Sequence, residues 1–354
     1  MSSFDEFLRD QPLYPFRFAP IYKNYLWGGE RLRTRFGRVL PKEQIAESWE
    51  VVDRSNNESA VLNGPLRGRT LNELVQHRRK DVLGAAVAAS HCSERFPLIL
   101  KHLDARLPLS VQVHPDDKTA KAMNLDDNGK TEAWLVIDAA PNSKLWVGTN
   151  RNYSKVEFEE AIRQGALERC LHSVPAKVGD CFFLPPGTPH ALGEGIMVTE
   201  VQTNSDITFR LYDWNRVGSD GSPRELNVAE ALRSMLDPCG PILPQTPSSA
   251  EHSTCERLVI AERFTLNRWC LKEPFVWYND GHAHLWNVLE GTATMLFNAG
   301  RRIAPTFRSG REGDPDAIEV LHTGDSILVP AMCPSLRWTL EDGSQAKLLD
   351  VVVT

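Results

Sequence analysis

The stretch Gly179-Asp-Cys-Phe-Phe-Leu-Pro185-Pro-Gly187-Thr-Pro-His190 constrains this chain more than any other. Its short apolar run suits a strand, its glycines allow tight turns on either side, and its prolines hold the intervening loop to few conformations. Such a loop delivers His190 to one place. A second stretch, Pro108-Leu-Ser-Val-Gln-Val-His114, supplies company for it: at a period of two, Leu109, Val111 and Val113 share one side, and Ser110, Gln112 and His114 the other. This is a strand with a chemical face, and three inward polar groups need a metal or a polar ligand.

Further stretches repeat that arrangement. In Lys130-Thr-Glu132-Ala-Trp134 the residues Lys130, Glu132 and Trp134 share a face. Val198, Glu200 and Gln202 share another, as do Thr208, Arg210 and Tyr212 opposite apolar Ile207, Phe209 and Leu211. A nearly closed β-sandwich with a polar interior gathers all of these faces at once. The pattern G-x5-P-x-G-x2-H in Gly179–His190 resembles the second signature of the cupin superfamily, a double-sheet jelly roll, with Glu194 where the usual pattern has Asn.

The expected fold is therefore mainly β with small helical segments, in two cupin-like lobes. Residues 1–237 are expected to form the lobe with the metal site, with helical insertions at about 69–92, 115–127, 153–172 and 227–236. Thr70-Leu-Asn-Glu73 and Ser154-Lys-Val-Glu157 read as capping boxes opening two of these helices. The Pro- and Ser-rich run 238–253 reads as a linker. Residues 254–354 repeat the strand pattern without its chemistry: Ser335 falls where the second signature has its histidine, Tyr278 and Asp280 fall at the histidine places of the first, and His284 at its carboxylate place. The pair His282-Ala-His284 is out of register for a metal site, so this lobe is expected to be degenerate.

With 354 residues, of which 42% are hydrophobic, the chain can bury a large core. Its net charge of −6 leaves no basic footprint for nucleic acid and no polybasic membrane patch. The first ten residues are short of apolar length for a leader or anchor. Seven cysteines, with no close CxxC pair, argue against a disulfide framework and a thiolate zinc site. The expectation is a reduced, cytoplasmic enzyme, monomer or homodimer, acting on a small molecule, with neither nucleic acid nor membrane as partner.

His114, Glu132 and His190, with Gln112 beside them, form a ligand set for one divalent metal. Two histidines and a carboxylate also describe a non-haem iron oxygenase, and a sugar-binding cupin needs no catalysis at all. On packing grounds alone, Trp27-Gly-Gly and Glu47-Ser-Trp49-Glu are core tryptophans beside turns, and Lys101 is a lysine snorkelling at a strand end. Taken with Ala46-Glu-Ser-Trp49-Glu, Pro108 to Asp117, Gly129-Lys-Thr-Glu-Ala-Trp134, Pro186-Gly-Thr-Pro-His190 and Asn204 to Asp213, however, the ordered set resembles the type I mannose-6-phosphate isomerases in their shorter bacterial form, over about residues 15 to 350.

The resemblance implies interconversion of mannose 6-phosphate and fructose 6-phosphate through a cis-enediol. It implies a zinc ion held by Gln112, His114, Glu132 and His190, an active-site arginine at Arg210, and Lys130 and Glu200 close to the reacting carbons, either of which suits the base. It places Trp27, Glu47, Lys101 and Ser110 along the substrate pocket; the phosphate-binding cation of the longer members has no clear match in this sequence, and Arg216 is the candidate stand-in. Gln112 as a fourth ligand and the cations Lys101, Lys130 and Arg210 favour this reading over an oxygenase.

Overall fold

A computed structural model describes residues 11–91, 93–217, 221–250, 252–297, 317–333 and 335–354. The amino-terminal stretch and Cys92, both used in the sequence reading, lie outside them. Strands dominate, as expected. In chain order they begin with β1 (Ile21–Lys23), β2 (Glu47–Val51), the short pair β3 (Asp53–Arg54) and β4 (Asn57–Glu58), β5 (Leu98–Ala105), β6 (Val111–Val113), β7 (Glu132–Ala139) and β8 (Lys144–Tyr153). They continue with β9 (Leu171–Pro175), β10 (Cys181–Leu184), β11 (His190–Ala191), β12 (Ile196–Thr203), β13 (Phe209–Tyr212) and β14 (Cys239–Pro241).

The chain divides into two compact units, and one comprises Tyr22–Trp49 and Leu100–Gln245. Its two sheets run β1-β2-β5-β12-β7-β10 and β13-β6-β11-β8-β14, with β9 on β8. Period two governs what lies between them. One apolar cluster includes Trp27, Leu103, Trp134, Val136, Phe182, Leu184 and Val198. A second gathers Val111 and Val113 with Phe158, Leu211, Ala231 and Met235, with the helix Val228–Ser234 packed on β6 and the helix Lys155–Arg163 on β8. Fully burying one such large side chain contributes roughly 1.5–3 kcal/mol. Gln112 is left on the opposite side of β6. Leu109 departs from the expected alternation and joins the first cluster, because the strand starts only at Val111.

The capping boxes at Thr70 and Ser154 both form, each side-chain oxygen accepting from the backbone of the glutamate three residues on. Within the expected segment 115–127, Asp116 caps the helix Asp117–Ala122 by accepting from Thr119 N–H. The helix after Ala166 stops at Cys170, and Leu171 and His172 already belong to β9.

The second unit comprises Met1–Ile21, Glu50–Ile99 and Thr246–Thr354. Its strands are β15 (Ser248–Ser249), β16 (Cys255–Ile260), β17 (Phe264–Leu271), β18 (Phe275–Trp277), β19 (His284–Glu290), β20 (Thr292–Phe297), β21 (Ala317–His322), β22 (Ser326–Val329), β23 (Leu336–Thr339) and β24 (Ala346–Val353). They form sheets in the orders β15-β16-β17-β24-β19-β22 and β18-β23-β20-β21. The run β5-β12-β7-β10 thus recurs as β17-β24-β19-β22, and β6-β11-β8-β9 as β18-β23-β20-β21. The same double-sheet jelly roll is built twice.

These units differ from the expected boundaries. Residues 50–99 group with the carboxy-terminal strands, where long-range backbone bonds hold them: Ala331 N–H donates to Val82 O (3.0 Å) and Met332 N–H to Asp81 O (2.9 Å). The run 238–253 is not a free linker either. Its ends enter the two sheets as β14 on β8 and β15 on β16.

Candidate metal centre

His190 opens β11, opposite Gln112 on one side and Val147 on the other. The loop before it is held by two backbone bonds, Gly187 N–H to His114 O (2.7 Å) and Leu236 N–H to Gly187 O (2.9 Å). Gly187 has φ +83°, and a Cβ there would lie 2.6 Å from Ser234 O, so glycine is required for both conformation and space. Glu132 opens β7 between Leu184 and Gln202. His114 follows β6 directly.

Ligand atoms of His114, Glu132 and His190 all lie within 4.8 Å of one another, and all three side chains are buried. Each imidazole donates its Nδ1–H to a backbone carbonyl, His114 to Ile207 O (2.7 Å) and His190 to Thr188 O (2.8 Å). That fixes the tautomer and leaves both Nε2 lone pairs facing Glu132, at 3.4 and 3.3 Å. Burial and the nearby Lys130 charge push His114 down to about 4, so its imidazole is neutral, as a ligand must be.

His114 Nε2 and both Glu132 oxygens make no well-formed hydrogen bond despite complete burial. A buried polar atom such as His114 Nε2 costs about 1–3 kcal/mol when nothing satisfies it. Two imidazole nitrogens and a carboxylate converging within 4.8 Å of one another form a donor set that fits a divalent cation. Gln112 completes the wall, its amide donating to His190 Nε2 at 3.2 Å.

Charged groups surround this centre. Lys130 Nζ stands 2.6 Å from Glu132 Oε1. Burial alone would raise the Glu132 carboxyl, but Lys130 and the imidazoles outweigh it and hold it well below the usual range. Burial likewise works against the Lys130 ammonium, yet Glu132 and Glu200 keep its pKa raised. Glu200 is pushed up, by burial and then by Glu132, against the opposing pull of Lys101 and Lys130. Its oxygens have separate partners: Trp134 Nε1–H donates to Oε2 at 2.7 Å, and Lys101 Nζ lies 3.5 Å from Oε1.

Lys101 does not snorkel. It is 4% exposed, 3.9 Å from Glu47 and 4.6 Å over the Trp49 ring. Glu47 in turn accepts from Trp49 Nε1–H at 2.6 Å. Ser110 is buried just before β6. Trp27 packs in the apolar cluster and stacks on Tyr25 at 5.8 Å.

Arg210 sits on β13 directly opposite Gln112. Its backbone N–H donates to Asn227 Oδ1 (3.2 Å), its Nη1 to Glu225 O (2.9 Å), and its buried Nε has no partner. Burial, with Arg224 adding, lowers its pKa from the usual arginine value. Two more arginines gather on Asp213: Arg216 and Arg224 both pair with Oδ1, and Arg224 Nε also reaches Oδ2 at 2.6 Å. Arg216 Nη1 donates to Pro108 O at 2.5 Å, tying it to the segment that carries Ser110.

The sequence reading missed Arg224, which follows no periodic pattern, and Gln202 as a site residue. Gln202 lies opposite Glu132, is completely buried, and has an Oε1 without a donor. Its place on the Glu200 face was the available signal.

In the second unit the expected histidine at the carboxylate place is borne out by register. His284 opens β19 opposite Val329 and Val352, as Glu132 opens β7 opposite Leu184 and Gln202. It lies between two carboxylates, Asp350 (2.7 Å from Nδ1) and Asp280 (3.0 Å from Nε2), which occupy both ring nitrogens. Among the described residues the only cluster of histidines, cysteines and acids close enough for a metal is the first one. The six described cysteines are free thiols, and no helix among the described residues is long and apolar enough to cross a membrane.

Fold and site together define a cupin-type double jelly roll with a buried His-Glu-His centre in one of its two units. The catalytic-domain model of phosphomannose isomerase type I matches residues 15–134. The putative mannose-6-phosphate isomerase YvyI of Bacillus subtilis is 33% identical over 321 residues, 90% of this chain and 94% of that one, and the mannose-6-phosphate isomerase ManA of the same organism is 34% identical over 301 residues, 84% and 91%. A crystal structure of the B. subtilis mannose 6-phosphate isomerase superposes with a TM-score of 0.80 at 31% identity, covering 96% of this chain and 99% of that one. The chain belongs to the type I mannose-6-phosphate isomerase family.

Proposed function

We propose that this chain interconverts mannose 6-phosphate and fructose 6-phosphate through a cis-enediol, with one zinc ion held by Gln112, His114, Glu132 and His190. The observation that carries the reading is the convergence of buried His114, Glu132 and His190 ligand atoms beside a buried carboxylate, Glu200, whose pKa is raised. When bound, the metal supplies a Lewis acid that polarises the sugar's carbonyl oxygen.

The chain's own residues do the rest. Glu200 moves the proton between C1 and C2, since burial and Glu132 raise its carboxyl above the ordinary glutamate value and make it a better base. Lys130 is the weaker candidate for that task, because its close pairing with Glu132 favours the ammonium form. It serves as a fixed cation. Arg210 adds charge where an oxyanion develops, an effect worth roughly 3–4 kcal/mol when such a donor is preorganised. Arg216 and Ser110, joined through the Pro108 segment, hold the phosphate, while Lys101, Glu47 and Trp27 form the pocket wall.

The test is proton exchange. Incubated in deuterated water with its metal and mannose 6-phosphate, the chain should incorporate solvent deuterium into the sugar during turnover, and Glu200→Gln should lower both exchange and turnover. A sugar-binding protein without catalysis would bind the phosphate ester and exchange nothing.

A further inference from the structure

Trp134 is fully buried, and its indole N–H is a donor with no acceptor capacity, so what it meets fixes its role. It meets Glu200 Oε2 at 2.7 Å across the β7–β12 ladder, where the two residues are direct partners. The same ring presents an edge contact to His190, with centroids 5.2 Å apart at 84°. One side chain therefore touches both a candidate metal ligand and the candidate base.

The second unit supplies an internal comparison. Trp286 lies opposite Asp350 on β19 and β24, as Trp134 lies opposite Glu200 on β7 and β12. There the acid is one carbon shorter and is taken by His284 and by Asn267 Nδ2 (3.1 Å), and the Trp286 N–H is buried with no acceptor. The tryptophan–acid pairing in the ladder thus occurs in both units. Only beside the candidate metal centre does the N–H reach the carboxylate.

We propose that Trp134 is a positioning residue for Glu200: its N–H pins Oε2 and so fixes the plane of the carboxylate, leaving Oε1 toward Lys101. The inference rests on Glu200 being the proton-transfer group. Trp134→Phe removes the donor, and replacing Trp134 by benzothienylalanine exchanges only the N–H for sulfur and keeps the ring shape, which covers the case in which the phenylalanine variant fails to fold.

The measurement is a double-mutant cycle on the metal-loaded protein with Trp134→Phe, or the sulfur analogue, and Glu200→Gln. Removing an outer hydrogen-bond partner commonly costs ~10- to 100-fold, so kcat should fall by that factor with KM within about twofold and metal content unchanged. In the Glu200→Gln background the same change should have little further effect. Wild-type kcat in both Trp134 variants, or a loss undiminished in that background, would overturn the positioning role while leaving Glu200 in place. Wild-type turnover in Glu200→Gln would overturn the assignment of Glu200 itself, and this inference with it.

Discussion

Glu132 and His284 occupy the same position in two successive double sheets, each the first residue of the strand between its two ladder partners. Where the first offers a negative charge facing His114, His190 and Lys130, the second offers an imidazole enclosed by Asp280 and Asp350. In the first unit Lys130 Nζ stands 2.6 Å from the carboxylate; in the second the imidazole itself takes the charge between its two acids.

That enclosure makes stability depend on pH. Burial alone would lower the pKa of His284, but Asp350 and Asp280 raise it to about 9. A folded value above the unfolded one, about 6.5, means that protonation stabilises the fold: the contribution is complete below about 6.5 and is lost as pH rises through about 9. It amounts to something on the order of 3 kcal/mol. Denaturant unfolding between pH 6 and 10 should show this decline in the parent chain and a flatter profile in His284→Gln. Parallel profiles would refute the charged imidazole.

Lys101 is the cation shared by Glu47 and Glu200. Replacing it with Met leaves two mostly buried acids without their lysine partner, a loss of about 3–5 kcal/mol by the usual cost of breaking a buried pair. Glu200 is already raised by burial and by Glu132, with Lys101 opposing. Its removal should move the acid limb of the kcat profile to higher pH. An unmoved limb would separate Lys101 from the titration of Glu200.

Arg210 has no contact with the three candidate metal ligands among its hydrogen bonds, which run to Glu225 and Asn227. Arg210→Ala should therefore keep fold and metal while turnover falls by about two to three orders of magnitude, the usual loss for one preorganised oxyanion donor. A fully active variant would remove Arg210 from the site.

Much of this was legible in the chain because period two and rigid turns are local properties. Gln112 and Glu132 lie on the faces that alternation assigns, and the loop prolines with Gly187 predict where His190 is delivered. What stayed hidden depends on register and distant pairing. Nothing in Lys130 to Trp134 says that residue 134 will face residue 200, and a lysine at position 101 reads the same whether it snorkels or lies between two acids. The grouping of residues 50–99 with the carboxy-terminal strands follows from backbone bonds spanning some 250 residues of sequence, such as Ala331 to Val82. Leu109 was misassigned because alternation was carried past the end of its strand.

Whether the His114–Glu132–His190 centre carries the isomerisation is decided by metal analysis together with a coupled assay on mannose 6-phosphate. The purified chain should carry about one zinc per molecule, lose fructose 6-phosphate formation on chelation and regain it when zinc is restored, while His190→Ala should retain neither metal nor turnover. Normal metal content in His190→Ala, or undiminished isomerisation by the metal-free chain, would contradict the account.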